Sequence, residues 1–280
     1  MQLEDYPPQE PLPEFARPYH EAIWQRAKGI AIREAQYGPD PYQGIALAVP
    51  PKPNGSVLVF MHGGGWTCGY KEWNLFMAPL LNDAGVILAS VGYRLAPGTL
   101  FPGNFEDCAH GLAWLYNNIA SHGGDPQRLF VGGHSAGGHL AALLAVRLDW
   151  QAALGLPPDV VRGCLPISGV YLFGAEAGLS KRPRFLGERE DAALDAAASP
   201  LTHLRLRVAG DVPPFLLAWG EKDFPHLIVQ AHAMLALLRE KTADVSDIAL
   251  AGKNHLEAHL AAAEPDQPWI GAALRFMATR

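Results

Sequence analysis

The stretch Leu129-Phe130-Val131-Gly132-Gly133-His134-Ser135-Ala136-Gly137-Gly138-His139-Leu140 decides how this chain is read. An apolar run enters the pentapeptide Gly133-His134-Ser135-Ala136-Gly137, and a helical pattern leaves it. A serine hydroxyl is a poor nucleophile unless the backbone presents it sharply and a base stands beside it. A strand turning abruptly into a helix presents it so, and the flanking glycines let the two elements pass closely. Upstream, Val57–Met61 forms a second apolar run that ends in His62-Gly63-Gly64-Gly65-Trp66. A glycine turn at that point can aim N–H groups at a developing oxyanion.

Around these two turns the pattern alternates between strand and helix. Candidate strands are Val57–Met61, Val86–Val91, Leu129–Gly133, Gly163–Ile167, Phe215–Trp219 and Ser246–Leu250. They are apolar along their length, which suits parallel strands covered on both faces. Helical stretches are expected near 74–84, 105–121, 136–148, 227–241 and 268–278. A preceding hairpin is expected from Ile30–Glu34 and Ile45–Val49, and a helix over 14–28, behind a proline-rich arm that reaches Pro13. The whole reads as one α/β domain with a doubly wound, mostly parallel sheet of about eight strands. Residues 169–210 break the alternation. An insertion after a strand's carboxyl end lies over the ligand crevice of such a sheet, so this segment is expected to be a cap; a decorative loop is the alternative.

A seryl nucleophile needs a base and an acid that orients the base. In the chain order nucleophile, acid, base, Asp223 follows Phe215–Trp219, and His255 follows the last strand. Glu221 is the rival acid and His259 the rival base; Asp223 lies deeper in its loop, and His259 belongs to an apolar helix over 256–263. His62 and His134 are expected to brace the glycine turns, and His139 to be packed beneath the site. The oxyanion donors expected are the N–H groups of Gly64, Gly65 and Ala136. Trp66, Tyr171, Phe173 and Phe224 are candidates for an aromatic substrate pocket, with ordinary core packing as the alternative. Activity is expected to fall below about pH 6–7 as the base protonates.

Composition bounds the alternatives. The chain has 280 residues, 49% of them hydrophobic, and a net charge of −6 from scattered residues. That excludes a basic nucleic-acid surface. Cys68, Cys108 and Cys164 form no metal or redox spacing and read as buried thiols in a cytoplasmic, reducing compartment. His255-Leu256-Glu257-Ala258-His259 lacks the spacing of a zinc helix, so neither metal nor cofactor is expected. The start, Met1 to Pro8, carries acid and proline where a signal peptide has base and an apolar run. No run reaches the roughly 20 apolar residues of a membrane span. The arm and the last helix are the candidate surfaces for a homodimer.

Together, His62–Trp66, Tyr93-Arg94-Leu95-Ala96-Pro97, Phe105-Glu106-Asp107 and Gly133–Leu140 resemble the α/β-hydrolase fold. More narrowly, they resemble its carboxylesterases of the hormone-sensitive-lipase type and the kynurenine formamidases (arylformamidases). Tyr93–Pro97 and the three glycines are similar to the esterase branch. His134, Gly138-His139-Leu140 and Asn254-His255-Leu256-Glu257 are similar to the formamidase branch. The resemblance implies hydrolysis of a small ester, or of an aryl formamide, through Ser135, His255 and Asp223. A non-catalytic hydrolase-fold binding protein is the reading from a different class.

Overall fold

A computed structural model describes residues 5–242 and 244–280. The expectation about the first residues therefore lies, for Met1–Glu4, outside the described part. Helix α1 (Arg17–Ala27) is followed by β1 (Arg33–Gln36), β2 (Gly44–Ala48), β3 (Gly55–Met61), α2 (Ala78–Asp83), β4 (Ile87–Val91) and α3 (Gly103–Asn118). The second half runs β5 (Gly124–His134), α4 (Ala136–Val146), β6 (Gly163–Ile167), α5 (Ala192–Ala198), α6 (Pro200–Leu206), β7 (Phe215–Lys222), α7 (Pro225–Lys241), β8 (Val245–Asn254), α8 (His255–Ala261) and α9 (Pro268–Ala278). The strands form one eight-stranded sheet in the order β1-β2-β4-β3-β5-β6-β7-β8, and only the β1–β2 and β2–β4 pairs are antiparallel.

The uninterrupted apolar strands β3 to β7 are explained by the two cores; Ser246–Leu250, expected to be covered on both faces, instead lies in the edge strand β8 and is mostly exposed. Val57, Val59 and Val131 face a cluster with Leu112, Leu143 and Leu238 of α3, α4 and α7. Leu58, Phe60 and Phe130 face the opposite cluster, with Ile23, Leu81 and Trp269 of α1, α2 and α9. Neighbouring residues on a strand point to opposite faces, so a strand buried on both sides cannot alternate apolar with polar.

Some boundaries differ from expectation. The first strand starts at Arg33 rather than Ile30, because Gly29 turns left-handed (φ 81°) and the Ile30 amide bonds Ala27 to close α1. The helix expected near 74–84 is a 3₁₀ stretch over Lys71–Met77 followed by α2, which begins anew because Pro79 is tolerated only in a first turn. Strands β7 and β8 run further than their apolar cores, pairing as far as Lys222 and Asn254 across a local irregularity. His255 therefore opens a helix directly after the strand.

Candidate active site

Ser135 stands between β5 and α4 with φ 54° and ψ −115°, a conformation that costs an L-residue about 1–3 kcal/mol. The neighbours hold it there. A Cβ on Gly137 would collide with the Met61 carbonyl, and one on Gly133 with the Gly137 backbone, so only glycine lets β3, β5 and α4 meet. The Ser135 amide bonds Ile167 of β6 at 3.0 Å.

The carboxyl ends of β7 and β8 deliver the partners. His255 Nε2 is 2.9 Å from Ser135 Oγ, and its Nδ1 is 2.8 Å from Asp223 Oδ1. Asn254 caps α8 in a reciprocal capping box with Glu257, which fixes the first turn where His255 resides. The Asp223 side chain is fully buried. Burial works to raise its pKa, but the hydrogen bond and charge of His255 outweigh that and hold it below the usual carboxylate value. Glu221 instead accepts the Gly252 amide at 2.7 Å, on the exposed side of its loop.

The other histidines divide cleanly. His139 Nε2 bonds the Ala198 carbonyl at 2.8 Å, so Nδ1 is the acceptor for Trp66 Nε1 at 3.1 Å. His62 bonds the Gly63 carbonyl through Nδ1 and stacks on Tyr93, whose hydroxyl donates to the His62 carbonyl at 2.9 Å. His134 reaches the His255 carbonyl, and His259 shares a hydrogen bond with Tyr19. Burial pushes His62 and His139 down to about 4 and His259 to about 3, and holds His134 well below its ordinary value.

A cavity of about 270 Å³ opens over Ser135 and His255. Gly63, Gly64 and Gly65 form one wall. Gly64 has φ 110°, and a side chain there would strike the Cys68 carbonyl. Ala136, the first residue of α4, is buried behind the serine. Of the four aromatics expected in a pocket, only Phe224 borders this cavity, its ring 4.9 Å from that of His255. The pocket expectation for Trp66, Tyr171 and Phe173 is corrected. Trp66 is stacked against Phe185 at 4.1 Å, Tyr171 is wholly buried, and Phe173 sets its edge on Trp66 and His139. For Tyr171 and Phe173 the cause is Gln230 of α7, whereas Trp66 is held by its hydrogen bond to His139 and its stack on Phe185. The Gln230 side chain accepts the Tyr171 and Leu172 amides and donates to the Leu172 and Ala177 carbonyls, drawing the insertion down onto α7.

Sequence reasoning missed the residues that do enclose the cavity. Glu10, Leu12, Phe15, Tyr19 and His20 border it. The arm is held by Gln9, whose amide pairs twice with Gly69 (2.9 and 2.7 Å), and by Tyr6, which lies between Lys71 and Glu72. Tyr42 donates to the Pro7 carbonyl, and Glu10 pairs with Arg184. Apolar Leu12 and Phe15 among prolines were the available signal.

A strongly bent serine turn, a histidine between serine and carboxylate, and a parallel sheet define a hydrolase-type α/β protein. The chain belongs to the α/β hydrolase fold family, whose model matches residues 58–259. It is 27% identical over 247 residues to an isoprenylcysteine alpha-carbonyl methylesterase of Arabidopsis thaliana, covering 81% of this chain and 57% of that protein. It is 32% identical over 214 residues to the esterase LipQ of Mycobacterium tuberculosis, covering 71% and 49%. The chain thus spans less than two thirds of the length of these relatives. Among solved structures, the metagenomic carboxylesterase EstE1 aligns over 95% of both chains with TM-score 0.72 and 24% identity. A bacterial heroin esterase covers 99% of this chain and 93% of its own, with TM-score 0.71 and 24% identity. These structures share the fold.

Proposed function

We propose that the protein is a serine carboxylesterase that hydrolyses small carboxylic esters. The observation that carries the reading is the placement of His255 between Ser135 Oγ and Asp223, at 2.9 and 2.8 Å. His255 Nε2 accepts the Ser135 proton as Oγ attacks the acyl carbon. Asp223 keeps the proton on Nδ1 and stabilises the imidazolium. The N–H groups of Gly64, Gly65 and Ala136 receive the oxyanion, each such donor supplying about 2.7–4 kcal/mol of transition-state stabilisation. His255 then protonates the leaving alcohol, and water, deprotonated by His255, releases the acid and regenerates the serine.

The size of the cavity supports a small ester, and among the described residues no lysine or arginine borders it to select a strongly anionic one. The names of the esterase relatives support the same class. The three buried free thiols among the described residues fit a reducing, cytoplasmic setting. The test is turnover of p-nitrophenyl acetate beside an aryl formamide. Ester hydrolysis that is lost by at least about 10³-fold in Ser135→Ala, with unchanged circular dichroism, is expected. Undiminished ester turnover in Ser135→Ala, or a formamide rate far above the ester rate, would overturn the reading.

A further inference from the structure

His134, the residue before Ser135, is 2% exposed, and its Nε2 lies 2.9 Å from the main-chain oxygen of His255. A carbonyl only accepts, so Nε2 carries the proton and donates. Because His255 is the first residue of α8, a bond to its carbonyl pins the peptide unit from which its ring projects.

The plane of the His134 ring is itself constrained. It stacks on His259 with centroids 4.7 Å apart and planes 9° apart, and Phe60 lies parallel to His259 at 5.7 Å. His259 Nδ1 is 2.6 Å from the hydroxyl of Tyr19 on α1. An unbroken chain therefore runs from the N-terminal helix, through two stacked imidazoles, to the backbone of His255. An apolar ring at 134 would fill the same space, but it would supply no donor. Burying imidazoles where hydrocarbon would fit costs desolvation, and a directed hydrogen bond is what offsets it.

We propose that His134 is a positioning residue for His255, and that Tyr19 and His259 form the bracket that keeps its donor on target. The inference rests on the esterase reading, in which the His255 ring must stay within hydrogen-bond reach of Ser135 while it exchanges protons. A displacement of about 1 Å in such a geometry can cost about 100-fold in rate.

The experiment is a set of four variants, each checked by thermal melting and assayed on p-nitrophenyl acetate. His134→Phe keeps the ring and its stack but loses the donor; kcat falls about 10- to 100-fold while KM stays within about twofold. His134→Gln, whose side-chain N–H reaches the place of Nε2, restores most of that loss. Tyr19→Phe removes only the hydroxyl and lowers kcat by about 2- to 5-fold. The pair Tyr19→Phe/His134→Phe is no slower than His134→Phe alone, because the bracket then has no donor to hold. A wild-type kcat in His134→Phe, no recovery in His134→Gln, or losses that multiply in the pair would each overturn the inference. A wild-type protein whose Ser135 takes no fluorophosphonate would instead overturn the esterase reading beneath it.

Discussion

Two segments compete for the space above the carboxyl edge of the sheet, and they reach opposite ends. The 169–210 insertion leaves β6 beside the serine, where a cap is expected, yet Gln230 straps it to α7 and its aromatics become core. The N-terminal arm starts far from the serine in sequence, yet its Leu12, with Phe15 in the helical turn that follows it, borders the cavity, and the two stay 38% and 68% exposed. The insertion stabilises, and the arm encloses. Position along the chain says where a segment begins, whereas a few side-chain bonds to main-chain groups say where it is laid.

Acid produces the largest effect. His62, His134, His139 and His259 are neutral in the folded protein and have lowered pKa values, so the unfolded chain binds more protons below about pH 6.5. Stability is therefore full above that pH and is lost as pH falls, by about 1 kcal/mol per unit for each histidine. Calorimetry between pH 7 and 4.5 should record a fall in Tm on the order of 10 °C. A flat Tm would mean that these rings find partners for their protons.

Next comes Gln230→Ala, which leaves buried amides and carbonyls of the insertion unpaired. Each costs about 1–3 kcal/mol, so Tm drops by several degrees while KM for a small ester holds. A KM change without a stability change would reverse the roles assigned to the two segments. Phe15→Ala is smaller and opposite in kind: Tm stays within about 1 °C, because the ring is mostly exposed, while kcat/KM shifts by about 3- to 10-fold. Gln9→Ala should do the same more weakly, about 2- to 3-fold, by loosening the arm from Gly69.

The same contrast explains what was readable beforehand. The Ser135 turn was legible because Gly133 and Gly137 leave no room for a Cβ, a constraint written residue by residue. The inner parallel strands were legible because burial on two faces forbids polar alternation, whereas β8, at the edge of the sheet, is mostly exposed. The order of Asp223 and His255 followed from that topology, although their strands extend through Lys222 and Asn254, where polar side chains hid the pairing. The arm has no periodicity, and its course depends on Gln9, Tyr6 and Tyr42 finding partners that are distant in sequence. Trp66, Tyr171 and Phe173 read as pocket because aromatics suit both a pocket and a core. For Tyr171 and Phe173, what separates the two is one glutamine on α7, whose amide carries no sequence signature.

We assign Ser135 as the activated nucleophile of an enclosed ester site. Intact-mass and peptide mapping after reaction with a fluorophosphonate tests this assignment most directly. One phosphonyl adduct on Ser135, absent in Ser135→Ala and at least about 100-fold slower to form in His255→Ala, is the expected result. An unlabelled serine, or labelling that survives the loss of His255 at full rate, would contradict it.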